Sequence, residues 1–167
     1  SELPISVCMS PISVSRVELF LDKEVSQVGL PMDVGSEHLY PVIKGRNHEH
    51  SLEVVKECSQ RWPGRVTTHF IAGLGETEEE MVKSIHECVS AGTTVGLFAF
   101  TPVRGTGMQD ALPPRRGSYR RIQLAAYAIK NGLDITKVSF DQGRISRIEM
   151  SDDRLFSDIR KGVPFQT

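Results

Sequence analysis

His69-Phe70-Ile71-Ala72-Gly73-Leu74-Gly75-Glu76-Thr77 reads as a strand that runs into a glycine-rich turn and then into an acid-led helix. Glycines at this place let the backbone approach a ligand closely at the C-terminal mouth of a parallel strand. Parallel sheets and barrels put their sites at such mouths. A phosphate-cradling loop does not fit. No Lys follows the glycines, and Glu76 with Glu78–Glu80 at the helix start would repel an anion. A neutral or cationic ligand suits the turn better, and an ordinary βα turn with no ligand explains the same glycines.

The pattern repeats outward from this stretch. Apolar, β-branched runs at Pro4–Met9, Gln27–Met32, Arg65–Ala72 and Thr94–Thr101 read as strands bounded by Gly, Pro, Asp or Ser. Helical periodicity fills the intervals. Val14–Asp22 puts Val14, Val17 and Leu21 on one face, and Ser36–Gln60 is predicted to break near Gly45–Arg46. Thr77–Ser90 carries Met81, Ile85 and Val89, and Tyr119–Asn131 carries Ile122, Ala125, Ala126 and Ile129. Thr77 is a natural N-cap, and Gly92 and Gly132 stand where helix ends want a left-handed residue. The strands read as near-continuous apolar runs, which suits parallel strands covered on at least one face by helices. The order βαβαβαβα gives an α/β fold. Beyond residue 133 the pattern changes: Lys137–Phe140 and Ile145–Met150 flank a turn at Asp141–Arg144, and Asp152–Lys161 is a short polar helix. The expected organisation is one domain, a barrel-like part over 1–133 and a hairpin-and-helix extension over 134–167.

Twenty basic residues against 21 acidic ones give a formal charge of −1, which argues against a nucleic-acid partner held by phosphate neutralisation. No apolar run is long enough to span a bilayer, so no membrane partner is expected. Cys8, Cys58 and Cys88 are far apart and odd in number, which suits a reducing, cytoplasmic setting over a disulfide framework. His38, His48 and His50 have poor spacing for a metal site.

Gly73-Leu74-Gly75-Glu76-Thr77, together with Phe100-Thr101-Pro102-Val103-Arg104-Gly105-Thr106, resembles radical S-adenosylmethionine (SAM) enzymes of the biotin synthase and lipoyl synthase group. Val7-Cys8-Met9, Leu30-Pro31-Met32-Asp33 and Lys44-Gly45-Arg46 extend the resemblance, which covers roughly residues 4 to 132. It implies a partial TIM-like (β/α) barrel of parallel strands. It also implies a SAM site made by Asp33 on the ribose, Arg46 on the carboxylate and Ile71 on the adenine. The turn residues Gly73, Gly75 and Glu76 and the exit loop at Thr101 and Val103 complete that site. Thr67 and His69 share the strand face of Ile71 and would look into the lumen, toward the substrate. By their own chemistry, Asp33 reads equally as a helix N-cap, Arg46 as a solvated charge and His69 as a hydrogen-bonded interior histidine.

The resemblance departs at the iron site. A [4Fe–4S] cluster needs a CxxxCxxC loop, and this chain has none, so it holds no cluster ligands. Thr67 also stands where biotin synthases carry an auxiliary-cluster cysteine. The functional expectation is the SAM-binding portion of a radical SAM enzyme that acts on a small-molecule or acyl/lipoyl-type substrate, inactive alone and cut from a longer protein. The alternative is a non-catalytic SAM- or nucleotide-binding or interaction subunit. A third reading is an unrelated α/β-barrel piece whose turn merely ends a strand. Four parallel strands leave two free edges, so a homodimer through those edges is expected.

Overall fold

Four strands, β1 (Ile5–Cys8), β2 (Val25–Gly29), β3 (Val66–Ala72) and β4 (Thr94–Ala99), form one parallel sheet in the order β1-β2-β3-β4 in a computed structural model. The structure describes residues 3–166; Ser1, Glu2 and Thr167, at the ends of the expected parts 1–133 and 134–167, lie outside the described residues. The crossovers are α1 (Val14–Leu21), the pair α2 (Tyr40–Lys44) and α3 (His48–Arg61), and α4 (Glu78–Ser90). Helix α5 (Arg116–Lys130) follows β4. An antiparallel hairpin of β5 (Val138–Asp141) and β6 (Arg144–Ile148) comes next, and then α6 (Asp153–Arg160). The fold is mixed α/β, with the four-stranded parallel sheet and the hairpin as separate sheets.

The helices cover one face of the sheet. Val28, Val66, Phe70, Leu97, Val55, Met81 and Ile85 make the core there. Along β3, Val66, Thr68, Phe70 and Ala72 are buried while Thr67, His69 and Ile71 are only half-buried. That alternation fits strands covered by helices on at least one face: one face has helices and the other is open.

One boundary differs from the sequence reading, for a local reason. Strand β2 starts earlier and ends at Gly29. Beyond it, the Thr68 hydroxyl donates to the Leu30 carbonyl at 2.8 Å and accepts from the Met32 amide at 3.2 Å, replacing the regular ladder. The helical stretch over 36–60 breaks at Gly45, as its sequence predicts, into α2 and α3. Gly45 ends α2 in the left-handed conformation (φ 65°), and the Asn47 side chain caps α3 through the His50 amide at 2.8 Å. The hairpin turn places both Gln142 (φ 47°) and Gly143 (φ 75°) in the left-handed region, the requirement of a tight two-residue turn.

The hairpin is bound to the barrel-like part. Val138 and Ile145 pack with Val82, Ala125 and Ile129 in a second apolar cluster. Glu78, at the start of α4, accepts from the Ile145 amide at 3.0 Å and from Arg121 Nε at 2.9 Å. Among the described residues, no helix is long and apolar enough to cross a membrane.

Candidate active site at the strand mouths

Asp33 lies just past β2 and is fixed by its own backbone. Its amide donates to the His69 carbonyl at 2.9 Å, and its carbonyl accepts from the Ile71 amide at 2.7 Å, an isolated parallel bridge to β3. These two bonds hold Asp33 at φ 62°, a left-handed conformation that aspartate tolerates better than most residues.

The carboxylate so placed meets two bases. Oδ1 lies 2.9 Å from His69 Nε2, and Oδ2 pairs with Lys44 Nζ. The Asp33 and Lys44 side chains are 17% and 18% exposed, and His69 is 32% exposed, so the cluster is shielded yet reachable. The His69 ring also meets Phe98 edge to face, with centroids 5.5 Å apart. With Nε2–H donating to Asp33, the Nδ1 lone pair is the one left to accept a proton. The sequence reading missed Lys44, naming it only as a neighbour of Arg46. The signal was the helix stop at Gly45, which makes Lys44 the last residue of a short helix leading out of the Asp33 loop.

The glycine-rich turn has a structural explanation. Gly73 and Gly75 sit at φ 103° and 117°, which only glycine adopts readily. A Cβ on Gly73 would come within 2.7 Å of Pro114, so the loop between β4 and α5 lies directly on the turn. Glu76 folds back, accepting from the Gly73 amide at 2.7 Å and from the Leu74 amide at 2.9 Å. Thr77 and Glu80 then form a reciprocal capping box. Glu80 also accepts from the Ser36 hydroxyl at 2.6 Å. Burial alone would raise its pKa, but that hydroxyl and the Thr77 amide and hydroxyl outweigh the effect and hold it below the usual carboxylate range.

The other residues assigned by the resemblance are dispersed. Arg46 is exposed and lines a hollow at the α2–α3 break with His38, Asn47 and His48. Thr101 lines another hollow with Phe100, Pro114, Tyr119 and Arg120. Val103 is exposed. Asp33 and Ile71 line neither hollow. Thr67, His69 and Ile71 occupy the open face of β3, and Cys8 Sγ and Thr67 Oγ1 flank Gly29, 3.7 and 3.4 Å from where its Cβ would be.

Among the described residues, no group of three or more His, Cys, Asp or Glu is placed to hold a metal ion. Cys58 and Cys88 are buried in helices. Burial first, and the neighbouring Glu57 and Glu87 second, push their thiols up to about 11 and about 12.

No family model matches the chain, and no curated protein matches it. Among solved structures it is similar to a "putative phosphonomutase" from Burkholderia cenocepacia J2315, a TIM-barrel-like protein. The TM-score is 0.50 at 16% identity over 77% of this chain, and the chain spans 49% of that protein's length. The likeness is one of fold. It overturns the radical SAM assignment, with its biotin synthase-like and lipoyl synthase-like chemistry, its iron–sulfur keywords and its SAM-dependent function. The non-catalytic SAM- or nucleotide-binding alternative is set aside with it. The physical reason is that Gly73-Leu74-Gly75-Glu76-Thr77 is a self-contained βα turn. Two left-handed glycines, an amide-capping glutamate and a capping box specify those residue types without any ligand.

Proposed function

We propose that this chain carries the acid–base site of an enzyme that moves a proton on a small organic acid at the mouth of a barrel. The observation that carries the reading is His69 Nε2 on Asp33 Oδ1 at 2.9 Å, with Lys44 on the other oxygen. Asp33 orients the imidazole. His69 Nδ1 takes a proton from carbon next to a carbonyl or phosphonyl group, and the C–H electron pair moves onto the substrate oxygen. The Lys44 ammonium offsets the negative charge developing there. Reversal returns the proton from His69 to carbon. Thr67, Ile71 and Phe98 on the open face offer one hydroxyl and two apolar surfaces to a small substrate. The description of the Burkholderia protein supports including phosphonates among the substrates tried.

The test is exchange of carbon-bound hydrogen in deuterium oxide, followed by proton NMR, with pyruvate and phosphonoacetate as probes. Wild-type protein should speed loss of the methyl or methylene signal for at least one probe, and His69→Gln should remove the acceleration. Equal rates with wild type and with His69→Gln for both probes would end the reading.

A further inference from the structure

We infer, resting on the acid–base reading above, that Ser36 is a positioning residue for Asp33: its hydroxyl on Glu80 makes helix α4 the outer support of the carboxylate that faces His69. Asp33 is the middle residue of a γ-turn. The Val34 amide donates to the Met32 carbonyl at 2.7 Å across it, and Asp33 stands at φ 62°. A γ-turn of this hand is strained, and strained backbone persists only where its surroundings over-determine it. On the entry side they do. The Thr68 hydroxyl accepts from the Met32 amide at 3.2 Å, and β3 takes both the amide and the carbonyl of Asp33. The bridge to β3 is isolated, so the chain leaving Asp33 has no strand to lean on.

Helix α4 supplies the hold on that exit side. Gly35 lies against it so closely that a Cβ would come within 2.8 Å of the Met81 Cα. The Ser84 hydroxyl donates to the Gly35 carbonyl at 2.8 Å, and the Ser36 hydroxyl donates to Glu80 Oε1 at 2.6 Å. Ser36 is 2% exposed, so water is a poor substitute for that acceptor. Glu80 is itself fixed. Its Oε2 accepts from the Thr77 amide and from the Thr77 hydroxyl, each at 2.8 Å. The acceptor therefore belongs to the capped helix and does not follow a moving loop.

Ser36 also begins the second arm of the site. Its carbonyl accepts at 3.0 Å from the amide of Tyr40, the first residue of α2, and α2 ends at Lys44, whose ammonium pairs with Asp33 Oδ2. One serine thus stands between the strained turn and the helix that brings in Lys44. Loss of its hydroxyl lets the turn relax toward an ordinary negative φ. That rotation swings the Asp33 Cβ and carries the carboxylate away from the imidazole.

The test reads the His69 ring as well as the reaction. Long-range proton–nitrogen NMR in alkaline buffer, where histidine is neutral, shows which ring nitrogen carries the proton, and His69→Gln assigns the signals. Wild type should hold the proton on Nε2. Ser36→Ala should leave it shared between the two nitrogens. The same variant should lower kcat for probe exchange by up to about a hundredfold, the scale of a misplacement of about 1 Å. The control is Ser59→Ala, which deletes an equally buried serine hydroxyl, bonded to Thr93 at 2.7 Å beside the N-terminal end of β4. It should leave the ring signals as in wild type. A Ser36→Ala ring identical to wild type, or the same change in Ser59→Ala, would overturn the inference while leaving the acid–base reading in place. A wild-type ring with no preference for Nε2 would sink that reading and the positioning role with it. Should Ser36→Ala fail to fold, Ser84→Ala, which strips the Gly35 carbonyl of its partner, is judged by the same signals.

Discussion

Asp33 and His69 are joined twice: the Asp33 amide donates to the His69 carbonyl at 2.9 Å, and the His69 ring meets the Asp33 carboxylate at 2.9 Å. The backbone bond sets where the carboxylate is, and the side-chain bond sets which imidazole nitrogen is free.

We predict that His69→Gln lowers the probe exchange rate by roughly a hundredfold or more, the usual scale for loss of a positioned general base. Asp33→Asn should also lower it, with the melting temperature changing little because asparagine tolerates the same left-handed backbone. Thermal melts run alongside the NMR assay separate lost chemistry from lost fold.

Thr68→Val keeps the shape of a buried side chain but strips the Leu30 carbonyl and the Met32 amide of their partner. The expected cost is about 1–3 kcal/mol in urea unfolding. An unchanged midpoint would mean that the segment between β2 and Asp33 is held in some other way.

Gly73→Ala combines an unfavourable φ of 103° with a Cβ pressed against Pro114. We expect roughly 1–3 kcal/mol of destabilisation from the backbone strain alone. Gly45→Ala, also left-handed (φ 65°) but with nothing within 4 Å of its Cβ, is the control and should cost less.

Acid should loosen the join between α4, α5 and the hairpin. Burial by itself would raise the Glu78 pKa, but Arg121, the Ile145 amide and Ser118 outweigh it and hold the carboxyl below the usual range. A depressed folded-state pKa contributes stability that is full above the unfolded value. That contribution fades as pH falls through the folded value, so the loss occurs on the acid side of about pH 4.5. Glu78→Gln should flatten this limb of the stability–pH curve, measured by chemical denaturation from neutral to acid pH.

Thiol labelling at mildly alkaline pH should find Cys8 first, since it is exposed. Cys58 and Cys88, buried and with thiols raised to about 11 and about 12, should react only on unfolding. Fast labelling of all three in native protein would contradict the helix packing around α3 and α4.

The sequence by itself determined the alternation of strand and helix, the break at Gly45, the capped start at Thr77 and the hairpin after residue 133. Each follows from forces that act over a few residues: hydrophobic period, left-handed glycines and capping hydroxyls. The same local forces explain why Gly73–Thr77 looked like a ligand signature, since a turn needs those residues whether or not anything binds. Tertiary structure alone decided that Asp33, Lys44 and His69 meet. Asp33 and His69 are brought together by the parallel pairing of segments 36 residues apart, and Lys44 by a helix that Gly45 stops in time. No local period records such a meeting, because a pairing register between distant strands is fixed by burial and backbone bonds that form only in the folded chain.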